Sequence, residues 1–308
     1  MRKILLLCVA AVSSMPLQAW NSTGHMTVAY VSYRRLGGNP KLKARALAIL
    51  EQHLDYERWV DGIPKTPEYA DLRGLTAFLR ASVWPDEIKS DPRFQNGGAD
   101  TSVPDMFRHQ NWHYIDEPLI GPFDALKVDE GDHSFRKAPT VLTQIRVCRA
   151  AIANTTLTGA TRAYYLAWLL HLVGDIHQPL HAVARQLDGK GDNGGNLVKL
   201  DGAEGNLHSY WDGALGSETS LGAISTLGDG LIRNVLEDPR EGLDEEAWFH
   251  ESVALAIQFV YGGLAGAAST DRGLVLTPRY HSVAVNVAEA RVVQAGYRLA
   301  GVIAAALY

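Results

Sequence analysis

Cysteine is almost missing. The chain of 308 residues has two, and Cys8 lies in the opening stretch MRKILLLCVAAVSSMPLQA. That stretch has a basic start, a short apolar run and a small residue at its end, the pattern of a secretory signal peptide, residues 1–19, cut after Ala19. Cys148 is then alone, so a disulfide within the mature chain is excluded and stability must come from the core and from bound groups. Its setting, TVLTQIRVCRAAI, reads as a helix and makes it an inert core thiol. Long apolar runs are missing too. The leader is short for a bilayer and no stop-transfer pattern follows, so the product is expected outside the cytoplasm, secreted or periplasmic, without stable membrane association. Basic excess is absent: 29 Lys and Arg face 34 Asp and Glu, a formal charge of −5. Removing Arg2 and Lys3 with the leader leaves 27 against 34, or −7. Such a surface does not attract polyanions in general, so any anionic partner must be held locally, and bound metal would do that. The H-E-x-x-H pattern of metalloproteases is absent; its nearest approach, His250-Glu251-Ser252-Val253-Ala254, lacks the second His. Repeats, low-complexity tracts and heptads are absent as well.

What is present is concentrated in AYYLAWLLHLVGDIHQPLH, residues 163–181. It begins as an apolar helix and ends in side chains that ligate metals. His171 and Asp175 are four apart and share a helix face. Pro179 is expected to end or kink the helix and turn His181 towards the same space. Burying a His and a carboxylate in so apolar a segment needs a compensating partner. NLHSYWD repeats the spacing with His208 and Asp212, so more than one metal is expected, and zinc suits such a mixture.

Most other segments with a clear period are helical. Helices are predicted at 24–36, 40–54 (with Pro40 in its first turn), from Thr66-Pro67 to about Val83, and at 139–153 and 159–176. Further helices are predicted at 206–215, 220–237, 244–262 and 280–306. Residues 90–104 and 117–137 read as irregular, and 183–205 as two glycine-rich turns around a short hairpin at NLVKL. Candidate ligands come from both halves of the chain. The fold class is therefore mainly α: a single-domain multi-helix bundle, residues 20–308, with long loops and a short β-hairpin. Asn21 and Asn154 fit the N-x-S/T pattern, which carries little weight without a glycosylating host.

Three more residues stand in suggestive company: His25 five residues after Trp20, Asp86 in VWPDEIK and His113 in NWHYIDEP. The ordered set WNSTGH, WPDEIK, WHYID, HLVGDIHQPLH, GGN, NLHSYWD and AGYRLA resembles the single-strand-specific zinc nucleases of fungi, plants and bacteria, within the zinc phospholipase C superfamily. The resemblance runs from Trp20 to the last helix. It implies three zinc ions. The first would take Asp86, His113, His171 and Asp175; the second His181, His208 and Asp212. The third would take the Trp20 amino nitrogen and carbonyl oxygen, His25, and Asp175 as a bridge. Signal cleavage would then create the third site, because only a free amine can ligate there. A bridging carboxylate holds two ions close, as in two-metal phosphoryl-transfer sites at roughly 3.5–4 Å.

The resemblance further implies cleavage of single-stranded DNA and RNA to 5′-phosphorylated products, with 3′-nucleotidase activity; no motif sets the oligomeric state, and a monomer is the default expectation. Asp86 and Lys89 match catalytic positions: Asp86 to orient water, Lys89 to offset charge at the scissile phosphate, against a plain reading as a solvated lysine. Tyr114 matches a base-stacking position, often Phe in fungal members; Asp116 matches a group that bonds the base edge, and Asn196 an amide at the same pocket. Stacking needs an unstacked base, which accounts for single-strand preference. His53, His109, His133, His177, His250 and His281 match no ligand position; His177 is expected to be structural or to support a ligand. The eukaryotic relatives have disulfides that this chain lacks. Two other readings compete: a zinc phospholipase C, which usually has Glu at the place of Asp212, and a non-catalytic secreted zinc-binding protein, whose site would be closed to substrate.

Overall fold

The computed structural model describes residues 20–94, 107–131, 133–187, 189–202, 205–234 and 242–308. The leader, most of the loop at 90–104 and the end of the helix predicted at 220–237 lie outside them. The chain is mainly helical, as predicted, and the helices appear in the predicted order. They are α1 (Ser22–Leu36), α2 (Pro40–Leu50), a single turn α3 (Tyr56–Trp59), α4 (Ala70–Glu87), α5 (Val141–Ala153) and α6 (Gly159–Asp175). The others are α7 (Leu207–Asp212), α8 (Leu221–Asn234), α9 (Glu245–Leu255) and α10 (Pro278–Leu307). Helix starts follow capping chemistry. Asn21, Thr158, Asn206 and Thr277 each accept a backbone N–H of the first turn, and Pro40 and Pro278 occupy first helical positions. Asn21 is thus occupied as a cap, and its Nδ2 donates to Gly216 O at 2.6 Å.

α1 runs through the middle, packed on α10, α4, α8 and α6. α6 lies beside α4 and α5 and is buried from Leu166 to Asp175. A helix apolar on all sides must be central, and this one carries His171 and Asp175 into the interior. Cys148 is buried and free, and burial pushes its thiol pKa up, as expected of an inert core residue.

Local expectations need correction at four places. The third helix continues past Val83 to Glu87, so Asp86 sits in its last turn, not after it. Pro85 is tolerated there because an interrupted ladder costs least at a helix end. α6 stops at Asp175, four residues before Pro179, which opens a 3-10 turn, Pro179–His181. The hairpin lies at Val183–Leu187 and Lys190–Gly191, upstream of NLVKL, whose Lys199 and Leu200 make only isolated bridges. The stretch 117–137 is not all irregular: β1 (Glu117–Ile120) and β2 (Lys127–Val128) form a sheet with β3 (Val183–Leu187) and β4 (Lys190–Gly191), in the order β2-β1-β3-β4. The central β1–β3 pair is parallel, Glu117 opposite Val183, and it joins the segment after His113 to the segment after His181.

Candidate metal centre

α6 places His171 one turn above Asp175, with His171 Nε2 3.2 Å from Asp175 Oδ2. His171 Nδ1 donates to Ser82 O of α4 at 2.8 Å, which fixes the tautomer and leaves the Nε2 lone pair facing inward. α1 brings in His25. Its ring stacks on His171 with centroids 3.9 Å apart, and its Nε2 is 3.4 Å from Asp175 Oδ1. Residue 174 must be glycine for this approach, since a Cβ there would lie 2.9 Å from His25 Nδ1. The 3-10 turn Gln110–His113 supplies His113, whose Nδ1 is 3.1 Å from Asp175 Oδ2 and 2.9 Å from His171 Nε2. Asp86 Oδ1 stands 3.7 Å from His171 Nε2 and 3.8 Å from His113 Nδ1. Asp175 therefore turns one oxygen to His25 and the other to His113 and His171.

The second cluster follows directly. His181 Nε2 and His208 Nε2 are 3.2 Å apart, and Asp212 Oδ2 is 3.5 Å from His208 Nε2. Each imidazole is aimed by its far nitrogen: His181 Nδ1 donates to His113 O and His208 Nδ1 to Gly194 O, both at 2.7 Å. Asp212 is aimed by a residue that sequence reasoning missed. Gln178 Nε2 donates to Asp212 Oδ1 at 2.7 Å, and Gln178 Oε1 accepts from Leu180 N at 2.6 Å. Its signal was a glutamine inside an apolar motif, buried and so obliged to find partners.

These groups do not satisfy one another. Both ring nitrogens of His25, His113 Nε2 and Asp175 Oδ1 are buried without a hydrogen-bond partner. Burial holds His25, His113 and His181 well below the usual histidine pKa, hence neutral. It pushes Asp175 up to about 6, and Asp212 well above the carboxylate range. Neutral imidazoles with lone pairs converging beside carboxylates are the donor set of a zinc-type cation, whose charge would offset the burial of the carboxylates. Among the described residues three groups of donor atoms each fall within 4.8 Å: His25, Asp86 and His171; His113, His171 and Asp175; His181, His208 and Asp212. The third equals the second zinc set expected from the sequence. The first two redistribute the remaining ligands and share His171.

Trp20 is buried, with Nε1 donating to Gly174 O at 3.1 Å, and the next residue's N–H reaches Asp212 O at 3.1 Å. It thus lies against both clusters. Lys89 is no solvated lysine: it is 6% exposed and its Nζ is 2.6 Å from Asp86 Oδ1. A cavity of about 170 Å³ opens beside the centre, lined by His113, Tyr114, Asp116, His181, Asn193 and His208 among others. Tyr114 is half-buried. Asp116 is exposed at its rim, where the surrounding protein and then Asp192 push its pKa up to about 6. Asn196 does not line the cavity; its Nδ2 donates to Asn193 O at 2.8 Å. His177 faces away from the centre, donating through Nδ1 to Val173 O and accepting at Nε2 from Arg298 Nη1.

A helical fold with this histidine–aspartate centre is that of a nuclease-type hydrolase: the family model described as S1/P1 Nuclease matches residues 20–308. The chain belongs to the S1/P1 nuclease family. It is 23% identical to Nuclease PA3 of Penicillium sp over 298 residues, covering 91% of this chain and 95% of that one. Nuclease P1 of Penicillium citrinum is 22% identical over 300 residues, with the same coverage of 91% and 95%. Endonuclease 1 of Arabidopsis thaliana is 24% identical over 325 residues, 96% of this chain and 88% of that protein. Among the described residues no helix is long and apolar enough to cross a membrane.

Proposed function

We propose that this protein is a secreted or periplasmic zinc-dependent endonuclease that hydrolyses single-stranded DNA and RNA to 5′-phosphorylated products and also acts as a 3′-nucleotidase. The observation that carries this reading is Asp175, whose two oxygens face two sets of histidines with unpartnered buried nitrogens, beside a cavity walled by Tyr114 and Asp116. Three zinc ions would be held by Asp86, His113, His171 and Asp175, by His181, His208 and Asp212, and by Trp20, His25 and Asp175. Zinc supplies Lewis acidity and activates water for in-line attack on phosphorus.

The chain's own groups do the rest. Asp86 and Lys89 form a buried ion pair. Asp86 orients the attacking water, and Lys89 offsets the charge that builds on the phosphoryl oxygens. Tyr114 offers a ring face to a nucleobase, worth roughly 1–3 kcal/mol by stacking, and Asp116 accepts a hydrogen bond from its edge. Asn196 supports that pocket. A duplex keeps its bases stacked on each other, so such a cavity selects single strands.

The test is zinc stoichiometry on protein beginning at Trp20, paired with hydrolysis of single-stranded DNA and RNA. Three zincs with chelator-sensitive cleavage is the expected result. Three zincs without cleavage would redirect the reading to phospholipid phosphodiesters. Little zinc would overturn the ligand set. An extension of one residue before Trp20 is expected to lower the zinc count by one, and an unchanged count removes Trp20 from the set.

A further inference from the structure

His109 matches no ligand position, yet it opens the 3-10 turn Gln110–His113. Resting on the zinc-nuclease reading above, we propose that His109 is a positioning residue for the metal centre: its ring, stacked on Trp112 over a left-handed backbone, locks the turn that carries His113 and through it aligns both histidine clusters.

Backbone conformation is the first ground. His109 has φ 45° and ψ 46°, in the left-handed region, and is one of two such residues other than glycine among those described. Glycine would reach this state without a Cβ penalty, so the backbone alone does not call for histidine. Such positions persist where surrounding contacts impose them. Here the contact is a ring: the imidazole lies flat on Trp112, with centroids 3.6 Å apart and planes inclined by 10°. Trp112 N donates to His109 O at 2.8 Å, so the same pair closes the turn through its backbone. Asn111 Nδ2 donates to Pro139 O at 2.8 Å and ties the turn to the segment before α5.

The route from this ring to the metal ligands is the second ground. Trp112 meets Trp168 of α6 edge to face at 4.8 Å, and Trp168 meets His113 and His171 in the same way at 5.4 and 6.5 Å. His109 also meets Trp168 edge-on, at 5.8 Å. Rings thus run without a break from His109 through Trp112 and Trp168 to two candidate ligands. Aromatic pairs prefer edge-to-face and offset arrangements, so each ring constrains the tilt of the next. His113 then acts in two directions. Its side chain faces Asp175 and His171, while its carbonyl accepts from His181 Nδ1 at 2.7 Å and so aims the second cluster. Ile115 N, two residues on, donates to His181 O at 2.8 Å. A turn that rotates therefore misplaces a ligand of one cluster and the aiming group of the other together. Losing outer contacts of this kind weakens metal binding by roughly 10–100-fold.

The experiment measures zinc affinity by competition with a chelator for wild type, His109→Gly and His109→Phe. The visible spectrum of the cobalt(II)-substituted proteins and the Tm of the metal-free forms are recorded alongside. Glycine keeps the left-handed backbone and removes the ring; phenylalanine keeps a ring for Trp112. In His109→Gly the ions of both histidine clusters are expected to bind about tenfold more weakly, with altered cobalt bands, and His109→Phe is expected to recover most of that loss. A merely structural role would move the metal-free Tm and leave affinity and spectrum as in wild type. That result, or a His109→Phe protein no better than His109→Gly, would overturn the assignment. Little zinc in wild type would instead overturn the ligand set of the nuclease reading, a failure visible before any variant is made.

Discussion

Two buried polar clusters lie back to back across residues 175–178, and they are built on opposite rules. On one side His25, His113 and Asp175 hold atoms with no protein partner. On the other, Arg291 spends all three nitrogens: Nε on His177 O, Nη1 on Glu251 and Gln294, Nη2 on Ser252 Oγ and Trp248 O. Arg298 pairs with Glu251 at 2.6 and 2.8 Å and with His177 Nε2 at 2.9 Å. Burial and the two arginines hold His177 well below the usual histidine pKa, so the neutral ring accepts from Arg298 while donating to Val173 O. A cluster that closes its own hydrogen bonds, all but that of Arg298 Nε here, serves the fold. One that leaves convergent lone pairs is shaped for a group from outside. Two histidines of one motif, His171 and His177, fall on different sides of this division.

The comparison can be broken most sharply at Asp175. Asp175→Asn should cost two ions and lower nuclease activity at least about a thousandfold, since it removes the charge facing both histidine sets; loss of a single zinc by metal analysis would refute the bridge. Next comes Glu251→Gln, which strands Arg291 and Arg298. It should destabilise the fold by about 2–3 kcal/mol in urea melts while the folded protein keeps its full zinc content. Gln178→Glu sharpens the boundary itself: an acceptor would face Asp212 Oδ1, and zinc affinity at that cluster should fall about 10–100-fold in competition with a chelator. The metal-free Tm should fall as well, because the new carboxylate is buried against Asp212.

One buried histidine belongs to neither cluster. His53 stacks on Trp59, and burial, opposed by Asp55, takes its pKa down to about 3. The unfolded chain, with a pKa near 6.5, binds that proton first as pH falls. Stability is thus complete above about pH 6.5 and is lost towards pH 3, at about 1.4 kcal/mol per pH unit. His53→Phe should flatten the pH dependence of urea melts by that slope below pH 6. An unchanged slope would mean that His53 titrates normally.

Much of this was legible in the chain. The four-residue spacings of His171 with Asp175 and His208 with Asp212 state a helix face directly, and both pairs meet at 3.2 and 3.5 Å. Helix order followed from periodicity and caps. The small sheet was hidden because β1 and β3 are short and pair in parallel across the 62 residues between Ile120 and Val183, leaving no local pattern. Gln178 was hidden for another reason: what it does depends on the partners that tertiary packing brings to it. Lys89 also fitted a solvated surface residue by sequence; α4 continues to Glu87 and lays it against Asp86.

The side chains of the centre are scattered from His25 in α1 to Asp212 at the end of α7. A nascent chain that has not reached Asp212, and any proteolytic fragment of half the chain, lacks part of the set. Competence arrives only when the last contributor has docked. For a member of a nuclease family, that order of events is a safeguard: the centre stays incomplete until Asp212 has been made and has docked.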